Sequence, residues 1–340
     1  VISMAVTYYQ LNRSTTSIPS TTGATTYTDG FYGVPGTMEF LIWRLELTLG
    51  GTRNITTSAA ALISQFKLVV DGDILYDWTS GFAPEVDDES MGNWNYFLNT
   101  IGGRSYQVPS VDTSTSVDVY MAIPVGAILS QGTPRFEITY GFYDANLVLG
   151  ASATVTAGAS TYWARFNSAA QRQTRVISGT SFQHTANQSE QVVVRVPSMP
   201  GYVLDAILIQ NDSPADQYGA DGIRVLALSQ FSMPVNLHRW ASDELGNTLM
   251  TVNPTGTTDA ESAQVFKTST PGILRVPLYG LKAADLTMIV SSSATTTRFY
   301  HPILTRAIGG VAEKRPMQTV AAPGNPQAAI MAGTEVTGPQ

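Results

Sequence analysis

The sequence has no cysteine among its 340 residues. That excludes disulfides, thiolate metal sites and a cysteine nucleophile, and it leaves the redox compartment open. Charge is scarce too: Asp, Glu, Lys and Arg make up 13% of the chain, where about a quarter is ordinary. The net charge of −7 repels phosphate backbones, so no dedicated nucleic-acid groove is expected. No run comes near the roughly 18 apolar residues of a spanning helix, and no basic stretch followed by an apolar one marks a signal peptide, so a soluble protein is expected. Catalytic signatures are missing as well. There is no GxSxG, HExxH, Walker A or GxGxxG pattern, and His184, His238 and His301 stand apart from one another and from carboxylate clusters. These absences predict a protein that is not an enzyme and holds no cofactor, with the three histidines serving the structure.

What is present is strand. Trp43, Leu45, Leu47 and Leu49 alternate with Arg44, Glu46 and Thr48, which is the pattern of a half-buried strand. Asp71-Gly72 separates Phe66–Val70 from Ile74–Trp78, and Asp-Gly readily takes the positive φ of a tight hairpin. Asn93 to Ile101, ended by Gly102-Gly103, is the helix the first half predicts. Elsewhere short strands alternate with Gly, Pro, Ser and Thr clusters, so the fold class is all-β, with two antiparallel sheets packed face to face in a jelly roll.

The chain also repeats itself. Ile63–Val70 followed by Asp77-Trp78-Thr79-Ser80 returns as Ile223–Leu228 followed by Arg239-Trp240-Ala241-Ser242. Val117–Pro124 and Phe136–Tyr143 return as Ile273–Pro277 and Leu286–Val290, the latter ending at Phe299-Tyr300. A period of roughly 160 residues exceeds any solenoid unit and fits a duplicated domain. The expected division is an N-terminal arm over 1–36, a first jelly roll over 37–170, a second over 171–307 and a C-terminal tail over 308–340. The arm is Ser/Thr-rich with few apolar side chains, and the tail is rich in Pro, Ala and Gly, so neither builds a core alone.

Two features are candidates for binding. Asp212, Asp216 and Asp221 bring three carboxylates into one loop, a weak Ca²⁺ candidate whose spacing is not that of an EF-hand. Trp43, Trp78, Trp94, Trp163 and Trp240 offer rings that stack on sugars when exposed, but Trp78 and Trp240 hold like positions in the two copies, which points to core packing.

A duplicated, cysteine-free all-β chain of this size resembles the double jelly-roll major capsid proteins of icosahedral viruses with an internal membrane, the tectiviruses, corticoviruses and finnlakeviruses of bacteria and the turriviruses of archaea. The resemblance lies in architecture and in the paired strand and Trp patterns over about 37–307. It implies a homotrimer with pseudo-sixfold outline, located in the virion shell and assembled in the host cytoplasm. Its implied partners are neighbouring capsomers, penton and minor capsid proteins, and the internal membrane through the termini, where Lys314 and Arg315 lie. Loops such as Phe82–Gly103 and Asp243–Ser269 become towers or clamps. The alternatives are a secreted carbohydrate-binding adhesin, a β-sandwich glycosidase and a phage spike or tail-fibre subunit.

Overall fold

The computed structural model describes residues 7–12, 16–18, 25–33, 36–53, 58–83, 92–108, 115–129, 133–166, 171–228, 232–235, 237–238, 251–252, 264–265 and 272–308. The expected tail with Lys314 and Arg315, most of Asp243–Ser269, and Arg239-Trp240 lie outside the described residues.

In the first half the strands are β1 (Thr7–Gln10), β2 (Thr16–Ile18), β3 (Thr25–Tyr32), β4 (Gly36–Gly50), β5 (Ile63–Val70), β6 (Asp73–Thr79), β7 (Arg104–Val108), β8 (Ser116–Leu129), β9 (Arg135–Phe142) and β10 (Thr154–Phe166), with helix α1 (Gly92–Thr100) before β7. The second half has β11 (Gln171–Val176), β12 (Thr180–His184), β13 (Gln188–Val194), β14 (Val203–Asn211), β15 (Tyr218–Val225), β16 (Thr251–Val252), β17 (Gln264–Val265), β18 (Ile273–Lys282), β19 (Leu286–Ser292) and β20 (Thr296–Ile308).

Local chemistry accounts for these elements. Along β4, Leu41, Trp43, Leu45, Leu47 and Leu49 are buried, and the residues between them are half-buried or exposed. Asp71 and Gly72 turn from β5 into β6 with φ of 51° and 86°, the left-handed pair a two-residue hairpin needs. Helix α1 stops where Gly102 takes φ 85°.

The duplication is explicit in the strand order. One sheet runs β1-β10-β4-β8-β7 and continues into β16-β17 of the second half, with β2 also on β10, and its first-half strands share one core with β3-β9-β5-β6. The second half repeats this as β18-β14-β20-β11, with β12 also on β20, facing β13-β19-β15. In place of β6 the second roll has a bridge from Ile223 to Met233. The match extends to single residues. β4 and β8 bulge between Met38 and Phe40, and Pro124 pairs with Phe40 just beyond; β14 and β18 bulge between Leu204 and Ala206, and Pro277 pairs with Ala206. Proline has no N–H for the ladder, and a bulge is where a strand tolerates it.

Four sequence expectations are corrected here. The strands with Pro124 and Pro277 do not end there but continue to Leu129 and Lys282. Phe299 and Tyr300 lie in β20 and do not end β19. β5 and β15 correspond, but by register Ile223 matches Phe66, which pairs with Tyr140 as Ile223 pairs with Val290. Much of the 1–36 segment is no arm: β1 and β2 pair with β10 as β11 and β12 pair with β20, and β3 pairs with β9 as β13 does with β19. An edge strand is held by backbone ladder bonds and needs few apolar side chains.

The rolls join edge to edge. β11 pairs parallel with β6 at Val176 and Tyr76, so one sheet runs from β18 to β3 through both rolls. Arg175 reinforces the joint, 3.3 Å from Asp73. The second roll has its own core around Ile207, Ile209, Leu274, Met288 and Leu304. Ala206, Leu208, Ile273 and Ile303, on the other face of the same strands, belong to the first roll's core. Tyr96 of α1 accepts a hydrogen bond from the Arg275 N–H at 3.2 Å, and a Cβ on Gly272 would collide with Phe82.

Candidate interaction surface

The titratable groups singled out by the sequence are engaged within the fold. His184 is fully buried, with Nε2 2.7 Å from Tyr300 Oη and Nδ1 3.2 Å from Glu190 Oε2. Burial first, then the nearby Arg298 cation, lowers its pKa to about 4, so it is neutral at pH 7. His301 is likewise lowered to about 4 by burial, and His238 is lowered for the same reason. Arg298 is buried; its Nε donates to Asn211 Oδ1 at 2.8 Å, its Nη2 donates to the Gln217 carbonyl at 2.8 Å, and it stacks on Tyr218. This network ties β14, β20 and the loop before β15 together, and the sequence gives no sign of it because its members are distant along the chain.

The acidic loop is not drawn together. Asp212 accepts from Thr296 Oγ1 at 2.7 Å and from the Thr297 N–H at 3.0 Å, while Asp221 accepts from Ser189 Oγ at 3.1 Å. Asp212 thus anchors the start of β20. Among the described residues no three His, Asp or Glu side chains form a metal-holding group.

Trp43, Trp78 and Trp94 are buried together in the first roll, with Trp43 4.7 Å from Tyr140 and Trp78 4.8 Å from Phe97 between ring centres. Trp240 lies outside the described residues. Trp163 is only half-buried, and it leads to the surface that distinguishes this molecule.

That surface is the outer face of β1-β10-β4-β8-β7. The register sets its residues in rows across the strands: Tyr8, Arg165, Phe40 and Pro124; then Gln10, Trp163, Ile42, Ala122 and Arg104; then Thr161, Arg44, Tyr120 and Tyr106. Tyr8 is 62% exposed and Tyr106 46%, and Phe40, Ile42, Tyr120 and Trp163 are half-buried. Arg165 lies 5.5 Å over Phe40 and 3.3 Å from Glu39, and Arg44 lies 5.7 Å over Tyr120 and 2.8 Å from Asp118. Aromatic and arginine side chains, with charges paired on the face itself, are the composition of protein interface cores. The sequence does not reveal that these residues lie side by side, because five strands from distant segments contribute them.

No protein-family model matches the sequence. No curated protein matches it either. Among solved structures the chain is similar to the major capsid protein of Sulfolobus turreted icosahedral virus, with a TM-score of 0.54 and 10% identity over 89% of this chain and 97% of that one. A second match, from the atomic structure of that virus, has a TM-score of 0.52 and 10% identity over 88% of this chain and 90% of that one. The major capsid protein of bacteriophage PM2 aligns over 89% of this chain and 98% of that one at 11% identity, with a TM-score of 0.44. At such identity the likeness is one of fold, and the chain is a double jelly roll.

Proposed function

We propose that the chain is a viral major capsid protein, a structural subunit that closes as a homotrimer into capsomers of an icosahedral virion. One observation carries this reading: the duplicated jelly roll aligns over 89% of this chain and 97% of a viral coat subunit at a TM-score of 0.54. Elementary geometry supports it. Two like rolls per chain, taken three times about a closed axis, present six like edges, and six like edges tile a shell. The sparse charge of 13% and the half-exposed aromatic face suit a chain that buries its sides against neighbours.

In this reading the protein resides in the shell after assembly in the host cytoplasm, beside neighbouring capsomers, penton and minor capsid proteins, and with its termini toward an internal membrane. It performs no catalysis. The solved structures the chain resembles favour this reading over the carbohydrate-binding alternative, and Trp43, Trp78 and Trp94 are core residues. Light scattering on a size-exclusion column tests the proposal. The expected mass is that of three chains of 36.4 kDa each, and a chain that stays monomeric when concentrated overturns it.

A further inference from the structure

We infer that the end of the second roll where β11 and β14 begin and β20 finishes is a binding site for a phosphate-type oxyanion. The site is independent of the capsid reading. Alternation and register build it. Gln173 and Arg175 share one face of β11 and pair with Arg306 and Leu304 of β20. On the other side of β20, Thr305 pairs with Val203 at the start of β14, so the register sets Tyr202 beside Arg306. Gln173, Arg306 and Tyr202 thus form one row, with Arg175 a step along β11. Arg175 Nε donates to Tyr202 Oη at 2.8 Å, Tyr202 Oη donates to Gln173 Oε1, and Arg306 Nε donates to the same oxygen at 2.7 Å. Both guanidinium groups also lie against the Tyr202 ring, Arg306 4.8 Å and Arg175 5.2 Å from its centre. Gln173 and Tyr202 are buried, at 3% and 7% exposure, so the frame that orients the two arginines is fixed.

That frame is neutral. Each arginine is held through Nε and the ring, which leaves the terminal Nη groups to bind something else. Arg306 is half-buried and makes no ion pair among the described residues. Arg175 reaches Asp73 at 3.3 Å and the Ile74 carbonyl at 3.5 Å, and the Asp73 side chain is 75% exposed, so little of the arginine's charge is neutralised. The surroundings have the same sign. Asp205 serves two cations, Arg172 at 2.6 Å and Arg275 at 3.0 Å, and Asp285 is engaged by Arg195. Lys282, opposite Val203, is exposed and makes no ion pair among the described residues. This end of the roll is therefore cationic in a chain whose net charge is −7. Like charges fixed side by side repel, and an anion between them removes the repulsion. Arginine's planar fork offers paired N–H donors to two oxygens of one anion, which chloride does not have, and phosphate, more highly charged than a carboxylate, answers the surplus best.

Isothermal titration calorimetry of the full chain with inorganic phosphate, at neutral pH and an ionic strength fixed with sodium chloride, tests the site. Flotation with phosphatidylglycerol and with phosphatidylcholine vesicles tells a lipid headgroup phosphate from the free ion. Saturable phosphate binding over the chloride background is expected, weakened at least about tenfold in Arg306→Gln because hydrogen bonds from a charged group are lost. Lys67→Gln, on β5 of the first roll, should bind as the wild type does. If circular dichroism shows that Arg306→Gln does not fold, Arg306→Lys, which keeps the charge and loses the fork, is expected to weaken binding at least about threefold. Arg306-dependent flotation with the anionic vesicles makes the ligand a headgroup, and phosphate binding without flotation makes it the free ion; either supports the site. No saturable binding of phosphate together with no preference for the anionic vesicles overturns it, as does binding of either kind that a folded Arg306 variant leaves unchanged.

Discussion

Trp43 and Trp163 stand on one sheet, separated by the sheet's two faces, and their truncation should have opposite consequences. Trp43 is fully buried; its Nε1 donates to Ser160 Oγ at 3.0 Å and its ring meets Tyr140, Phe66 and Trp94 at 4.7, 6.0 and 6.3 Å. An indole buries about 200 Å², worth about 5 kcal/mol at ~25 cal/mol/Å², and measured costs for Trp→Ala in cores run at ~3–5 kcal/mol. The lost hydrogen bond adds about 1 kcal/mol, softened because Ser160 still meets Tyr140 Oη at 3.2 Å. Trp43→Ala should therefore cost about 5 kcal/mol and lower the melting temperature by roughly 10–20 °C in a domain of this size, whereas Trp43→Phe should cost about 2 kcal/mol. Trp163→Ala, on the half-open face, should cost under ~1 kcal/mol in the monomer yet weaken association. Near-ultraviolet circular dichroism melts at one dilute chain concentration, paired with light scattering, separate the two. Equal destabilisation by Trp43→Ala and Trp163→Ala would refute the assignment of faces.

Three further expectations follow from polar groups engaged within the fold. Asp29 is 5% exposed, accepts from Tyr162 Oη at 2.5 Å, and has its pKa raised by burial, so its favourable contribution is present below the ordinary carboxylate range and is lost as pH rises through the raised value; Asp29→Asn should raise the melting temperature at pH 7–8 and leave it nearly unchanged near pH 3. His184, lowered from 6.5 to about 4, contributes stability above pH 6.5 that is lost as pH falls toward 4; denaturant titrations at stepped pH should show His184→Gln flattening this acid slope, and an unchanged slope would count against a neutral buried imidazole. Asp212 is engaged by Thr296 and Thr297, so Asp212→Ala should cost ~1–3 kcal/mol while millimolar Ca²⁺ leaves the wild-type melt unmoved; a calcium-dependent rise would restore the loop as an ion site.

Much of the fold is legible in the residues because it is written locally. The alternation of β4, the Asp71-Gly72 turn and the glycine stop after α1 each depend on a few neighbouring side chains, and the matching strands around Pro124 and Pro277 expose the duplication. What escapes the sequence is pairing at a distance. Thr7–Gln10 and Thr16–Ile18 look unstructured because apolar content is the signal for a core, whereas their place is fixed by ladder bonds to β10, 140 or more residues away. The Ile63 and Ile223 segments match by similarity of type, while the true register depends on bulges no local pattern reveals. Trp43 and Trp163 carry the same side chain, and only the sheet around them makes one core and the other surface.

The most direct test of the central claim is electron microscopy of the native species eluting from the size-exclusion column, with class averages computed without imposed symmetry. A subunit made of two like rolls and closed threefold predicts a hexagonal outline with alternating features, alone or within closed shells. Averages with two lobes and no threefold repeat would contradict it.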